Sequence, residues 1–344
     1  MVICLNYKKR VYFIIYFLLI ILIALIIINI LKDISIKEEK EIEQKEIKEE
    51  KKLIEYKGNQ TIRIKLSNTN EIVAMDINDY LRGVVPSEMP PYYDMEALKA
   101  QAVVARTYLY RKMENGGDGD ADICDNPAHC QAYYNKEKIL EIWAKKGYDE
   151  KLRNEYWWRV NEAVTSTDNQ VILYNGDYIR AYFHASSPIR TESSTEIWGK
   201  EYIPYLVSVE NNESEEYENR TSIASFDYET FLRLFNEKIV NNSGIDSLEK
   251  GDVRINEYTS SGRVKNILVK DYLVSSEILR TVYYLRSTNF TIDDDGNTLT
   301  FNVIGNGHGL GMSQVGADFY GKSGMSYVDI IKHYYKGVEV KKLD

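Results

Sequence analysis

Positive charge is short in this 344-residue chain: 43 Lys and Arg stand against 52 Asp and Glu, a formal charge of −9. That balance argues against a nucleic-acid partner, because phosphate contacts need a basic face. Cysteine is scarce as well, with three in the whole chain. Cys4 precedes a long apolar run, so only Cys124 and Cys130 are left beyond it. No stretch repeats along the sequence, and strand and helix patterns interleave without a regular βαβ period. These absences exclude a solenoid and argue for an α+β fold over a doubly wound sheet.

The long apolar run covers residues 11–31 and carries no charge. As a helix it is long enough to cross a hydrocarbon core of about 30 Å. Lys8, Lys9 and Arg10 precede it, which places residues 1–10 inside and everything after Lys32 outside. A removable signal has a shorter apolar stretch and a small-residue cleavage site. The sequence therefore predicts a cell-membrane protein with a retained single-pass transmembrane helix over 11–31. A charged Glu/Lys stalk over 32–55 and an extracellular domain over 56–344 follow. Ile36, Ile42, Ile47 and Ile54 keep no heptad, so the stalk is not a coiled coil.

Within the domain, residues 59–66 and 71–77 alternate like strands. Residues 137–146, 150–164, 226–239, 277–285 and 327–335 have helical patterns. Residues 170–184 alternate around Asn175-Gly176, the pair a type I′ turn prefers. Residues 203–209 read as another strand, and 253–274 as a second hairpin around Ser260-Ser261-Gly262. The expected architecture is an ectodomain of mixed helices and antiparallel hairpins, with two lobes around a cleft.

The stretch that organises the rest is YLRGVVPSEMPPYYDMEALKAQAVVARTYLY, residues 80–110. A helix around 77–85 is expected to stop at Pro86. A second starts after Pro90-Pro91, where Asp94 can cap its N-terminus. Leu98, Ala102, Ala105 and Leu109 follow helical spacing on its packed side, with Lys99, Gln101 and Arg106 on the other. Glu88 falls in the Pro-stiffened turn between them, a mount that suits a catalytic acid and equally a solvated loop glutamate.

Cys124 and Cys130 lie in CDNPAHC, with His129 beside the second. Two thiolates and an imidazole within seven residues can close around a tetrahedral zinc if the loop turns at Asn126-Pro127. The fourth ligand would come from Asp118, Asp120 or Asp122, with Asp118 our choice, or from water. A small disulfide ring and a pair of free thiols are the alternatives.

Five pieces in order, LRGVVPSEMP, ALKAQAVVARTY, DICDNPAHCQAY, AYFHASS with RTE, and GHGLGMSQVGA, resemble the SpoIID/LytB family, that of stage II sporulation protein D. The resemblance runs from about residue 56 to the C-terminus. It departs at Pro188-Ile189, where similar proteins have Gly-Gly, and at Asn306, where they have an aromatic. It implies a metal near a catalytic glutamate, here Glu88, and it implies lytic transglycosylase activity on peptidoglycan. Such an enzyme cleaves the MurNAc–GlcNAc bond of peptide-stripped glycan strands and leaves 1,6-anhydro-MurNAc ends. One carboxylic acid suffices because the muramic 6-hydroxyl is the nucleophile. The acid needs a raised pKa, hence a half-buried site with apolar walls such as Val85 and Met89.

Gln101, Arg106, Arg190, Thr191, His308 and Gln314 are the sugar-contacting candidates, as polar residues inside the matching motifs. The implied process is septal wall degradation during engulfment in sporulation. The implied partners are the glycan, the sporulation amidase stage II protein P and the membrane protein stage II protein M. Two rival readings stand: a zinc-dependent wall amidase, and a non-catalytic wall-binding amidase activator.

Overall fold

Nearly every helix begins where the sequence supplies an acceptor for its free N–H groups. The side chains of Asp76, Asp94, Asn135, Asp149, Asp227, Ser275, Ser313 and Ser326 each accept from an N–H two or three residues on. The computed structural model describes Lys32 and residues 61–343, apart from Lys200, Glu216, Glu218, Asn219, Asn242 and Ser243.

In chain order the elements are β1 (Thr61–Lys65), β2 (Ile72–Asp76), α1 (Ile77–Glu88), α2 (Met95–Glu114), β3 (Ile123–Cys124), α3 (Lys136–Lys145), α4 (Glu150–Ser166), β4 (Gln170–Tyr174), β5 (Asp177–Tyr178), β6 (Phe183–His184), β7 (Ile189–Arg190), α5 (Ser194–Trp198) and β8 (Glu210–Asn211). There follow β9 (Thr221–Asp227), α6 (Tyr228–Lys238), β10 (Val253–Tyr258), β11 (Val264–Val269), β12 (Tyr272–Ser275), α7 (Ser276–Val282), β13 (Phe290–Asp294), β14 (Thr298–Ile304), β15 (Met312–Ser313), α8 (Gln314–Lys322), α9 (Tyr327–Tyr334) and β16 (Glu339–Lys342). They make small sheets ordered β2-β1-β3, β16-β4-β5, β10-β11-β12 and β13-β14-β9, with β6-β15 and β7-β8 as pairs. Pairing is antiparallel except at β1-β3 and β6-β15. The expected α+β class with antiparallel sheets stands.

Two buried apolar clusters hold these elements. The first gathers β1, α1 to α4, β4, α8 and α9, with α2 at its centre. The second joins α6 and α7 to the sheets of β9 to β14 around Phe231, Phe235, Tyr283 and Phe301. The one-sided helix expected at α2 is corrected here: Ala97, Ala100, Gln101, Ala102, Val103, Val104, Ala105 and Arg106 are all fully buried. Alanine on several faces lets neighbours approach all round.

Arg106 shows what that burial demands. Its guanidinium donates to the carbonyls of Thr167 at 2.7 Å, Gln170 at 3.2 Å and Val164 at 3.4 Å, and to Asn78 Oδ1 at 3.2 Å. It therefore satisfies carbonyls at the end of α4, which have no partner within their own helix.

Other expectations shift. α1 does not stop at Pro86 but runs through it to Glu88, so Glu88 ends a helix instead of sitting in a turn. Proline in the last turn removes one backbone bond, while Ser87 Oγ donates to the Gly83 carbonyl at 2.6 Å and Met89 N–H to Val85 at 2.9 Å. Residues 203–209 form no strand; the next strand in the chain is the two-residue β8. The turn at Asn175-Gly176 is as expected, with φ of 54° and 92°, although its second arm is only Asp177–Tyr178.

The expected single-pass membrane localisation is withdrawn: among the described residues no helix is long and apolar enough to cross a membrane. The run 11–31, and the stalk apart from Lys32, lie outside the described residues.

Candidate functional site

Glu88 sits at the C-terminal end of α1, partly exposed, between Val85 and Met89, which are fully buried. Its Oε1 accepts the backbone N–H of Ala132 at 2.9 Å. Burial raises the carboxyl above its ordinary pKa, and the Ala132 N–H pulls the other way without cancelling it. The negative end of the α1 dipole acts in the same direction as burial.

The segment after Cys130 is laid across α1 by close contacts. Tyr133 stacks on Tyr80 with ring centroids 5.6 Å apart, and Tyr80 Oη donates to Gln131 Oε1 at 3.2 Å. Gly83 makes room for this: a Cβ there would stand 2.3 Å from the Tyr133 ring and 2.5 Å from the Tyr134 carbonyl. The same segment thus positions Ala132 and ends the cysteine loop.

In that loop, donor atoms of Asp118, Cys124, His129 and Cys130 all lie within 4.8 Å of one another. His129 Nδ1 is 3.5 Å from Cys124 Sγ, 3.7 Å from Cys130 Sγ and 3.2 Å from Asp118 Oδ1. Zinc bonds of about 2.0–2.3 Å put the donors of a tetrahedron roughly 3.3–3.8 Å apart, so the set fits zinc. The two sulfurs are closer, at 2.9 Å, yet too far apart to be bonded, and both cysteines are free thiols. Burial, then the contact with Cys130, pushes the Cys124 thiol up to about 12.

Gln314 opens α8, and its Nε2 donates to the Glu88 carbonyl at 2.9 Å and to Gln101 Oε1 at 3.3 Å. Glu88, Gln314 and Gln101 therefore meet, although Gln101 is fully buried. His308 is placed elsewhere. Its Nδ1 accepts the Leu310 N–H at 3.0 Å, and burial with nearby Arg280 and Arg263 lowers its pKa to about 4. Its ring stands 5.7 Å from that of His184, whose Nδ1 faces the Leu310 carbonyl at 3.0 Å.

Thr191 is buried, with Oγ1 accepting the Val209 N–H at 2.9 Å. Arg190 is half-exposed, bonded through Nε to Ser208 Oγ at 3.2 Å. Arg106 belongs to the core described above. A sugar could reach neither Arg106 nor Thr191 without unpacking the fold.

Sequence reasoning missed Glu213, from the motif-free run NNESEE. Its buried carboxylate accepts from Ser187 N–H at 2.6 Å, Ser313 Oγ at 2.6 Å, Asn211 Nδ2 at 2.8 Å and Ser186 Oγ at 2.5 Å. Ser313 caps α8, so this acid fixes the helix start that delivers Gln314 to Glu88.

A family model described as SpoIID, stage II sporulation protein, matches residues 65–174. Stage II sporulation protein D of Bacillus subtilis (strain 168) is 30% identical over 271 residues, covering 78% of this chain and 75% of that protein. An uncharacterized protein of Brachyspira hyodysenteriae is 32% identical, over 83% of this chain and 72% of its own length. The amidase enhancer of Bacillus subtilis is 28% identical over 75% of this chain, which spans 39% of that longer protein.

Proposed function

The chain belongs to the stage II sporulation protein D family, and from that membership we propose that it is a lytic transglycosylase of peptidoglycan with Glu88 as its acid and base. The single observation that carries this reading is the half-buried carboxyl of Glu88, raised in pKa and held through one oxygen by the Ala132 N–H. That oxygen is taken, so the proton resides on Oε2. Glu88 gives it to the oxygen between MurNAc and GlcNAc as the bond to the anomeric carbon breaks. The muramic 6-hydroxyl then adds to that carbon, and its proton returns to the carboxylate. No water is consumed, and Glu88 ends as it began.

Fully buried Val85 and Met89 help keep water from the carboxyl and so favour its protonated form, and Gln314 holds the end of α1. Peptide-stripped strands are the proposed substrate. Septal wall degradation in sporulation is the proposed setting, with stage II proteins P and M as partners.

Asp118, Cys124, His129 and Cys130 would hold the zinc. With four protein donors the site would be closed, so a zinc held there would brace the loop that ends at Ala132 and leave no open position for amidase chemistry. Similarity to an amidase enhancer keeps one second reading alive, that of a wall-binding protein that does not cut. Digestion of peptide-free strands separates the two. Wild type should release strands with anhydro ends and Glu88→Gln none; strands left uncut by both would favour the binder.

A further inference from the structure

Tyrosines stand side by side at four places in the chain. Tyr334 and Tyr335 are both buried, but the other three pairs divide: one ring is packed inward and its neighbour is turned out. Two of those three pairs adjoin Glu88.

Tyr92 lies four residues beyond Glu88, so their Cα atoms are at most about 14 Å apart. Tyr93 is buried, while Tyr92 is 51% exposed. The backbone on both sides of Tyr92 is pinned from α4, where Arg159 donates through Nε to the Pro91 carbonyl at 3.0 Å and through Nη2 to the Tyr93 carbonyl. The Tyr92 ring meets that of Tyr93 edge-on, with centroids 5.5 Å apart, and leans on Tyr156 of α4 at 6.5 Å. It is exposed yet held.

Tyr134 reaches the acid from the cysteine loop. It lies two residues beyond Ala132, whose N–H is bonded to the Glu88 carboxyl, and two residues span at most about 7 Å. Tyr133 stacks on Tyr80, and Tyr134 beside it is 46% exposed. The Tyr134 carbonyl comes so close to α1 that a Cβ on Gly83 would stand 2.5 Å from it. The backbone is fixed here too, and the ring is left in water.

Packing does not require either outward ring, because Tyr93 and Tyr133 already anchor the two segments. An aromatic face is electron-rich and attracts C–H groups. The flat faces of a pyranose ring are rows of C–H groups without charge, so they suit a chain whose total charge is −9. A ring already held in place loses little freedom when a ligand lies on it.

We propose that Tyr92 and Tyr134 are stacking platforms for sugar rings of the strand that Glu88 cuts. The inference rests on the glycan reading above and names what the strand lies on.

The test uses the full chain carrying Glu88→Gln, so that strands are bound without being cut. Binding of peptide-free strands is measured by calorimetry. Tyr92→Ala and Tyr134→Ala should each weaken it about fivefold, and the double variant about 25-fold. Phenylalanine at either position should keep the affinity, and the losses should be the same at low and high salt. Tyr284, 91% exposed in the third divided pair and part of the other apolar cluster's surface, is the control, and Tyr284→Ala should bind as the parent does. A second readout needs no change at either ring: bound strands should shield Tyr92 and Tyr134 from iodination and leave Tyr284 reactive. Full affinity in the double alanine variant, or iodination unchanged by bound strands, overturns the inference and leaves the glycan reading standing. So does an equal loss with phenylalanine, because the hydroxyls and not the ring faces would then hold the strand. A parent that binds no strand overturns both.

Discussion

Glu88 Oε1 and the backbone N–H of Ala132 are 2.9 Å apart, two residues beyond Cys130. One hydrogen bond therefore joins the end of α1 to the loop that carries Cys124, His129 and Cys130. The acid, the thiol cluster and the Tyr133 segment depend on one another through it.

Gly83→Ala tests that dependence. In an ordinary helix this change stabilises by up to about 1 kcal/mol. Here the added carbon would meet the Tyr133 ring at 2.3 Å and the Tyr134 carbonyl at 2.5 Å. Overpacking of this kind costs about 1–3 kcal/mol. We expect the melting temperature to fall by several degrees and glycan cleavage to fall further than stability explains, because Ala132 is displaced with its neighbours.

The raised pKa of Glu88 has a signature in stability. A carboxyl that binds its proton more tightly when folded stabilises the fold fully only at low pH, and the contribution is lost as pH rises through the folded value. Glu88→Gln removes the charge and keeps an oxygen for the Ala132 N–H. Its melting temperature should match wild type near pH 4 and exceed it at pH 7, the gap opening above the ordinary carboxylate range. A gap that is constant with pH would show that the carboxyl is not perturbed.

Metal content tests the cysteine loop. The purified chain should carry one zinc, and Asp118→Ala should lower that occupancy while Asp118→His retains it. Chelation should lower the melting temperature and open Cys124 and Cys130 to thiol reagents. Full occupancy in Asp118→Ala would remove Asp118 from the ligand set.

Ile189 has φ of 79°, in the left-handed region, with a β-branched side chain that is 69% exposed. Such strain costs about 1–3 kcal/mol, and glycine returns only about 0.5–1 kcal/mol of it as chain entropy. Ile189→Gly should therefore stabilise by roughly 1 kcal/mol, seen as a melting temperature about 2–4 °C higher.

Local chemistry was the legible part of the sequence. Asp94 capped the helix it was expected to cap, and Asn175-Gly176 turned with both φ values positive. Asp118 joined the thiols and the imidazole although nothing in its spacing required it. What sequence could not convey was depth. Gln101 and Arg106 read as the polar side of a helix, but alanine on the other faces let neighbours enclose them. Residues 203–209 alternate like a strand, yet alternation does not supply a pairing partner. Glu213 draws its partners, Ser186, Ser187 and Ser313, from segments far apart in the chain, which no local pattern conveys.

The central claim is that Glu88 cuts glycan without adding water. The most direct measurement is cleavage of peptide-free strands in 18O-labelled water, with the new ends weighed by mass spectrometry. Wild type should give unlabelled 1,6-anhydro ends, lighter by one water than reducing ends, and Glu88→Gln no new ends. Reducing ends that each carry one 18O would contradict it, because they would make the chain a hydrolase.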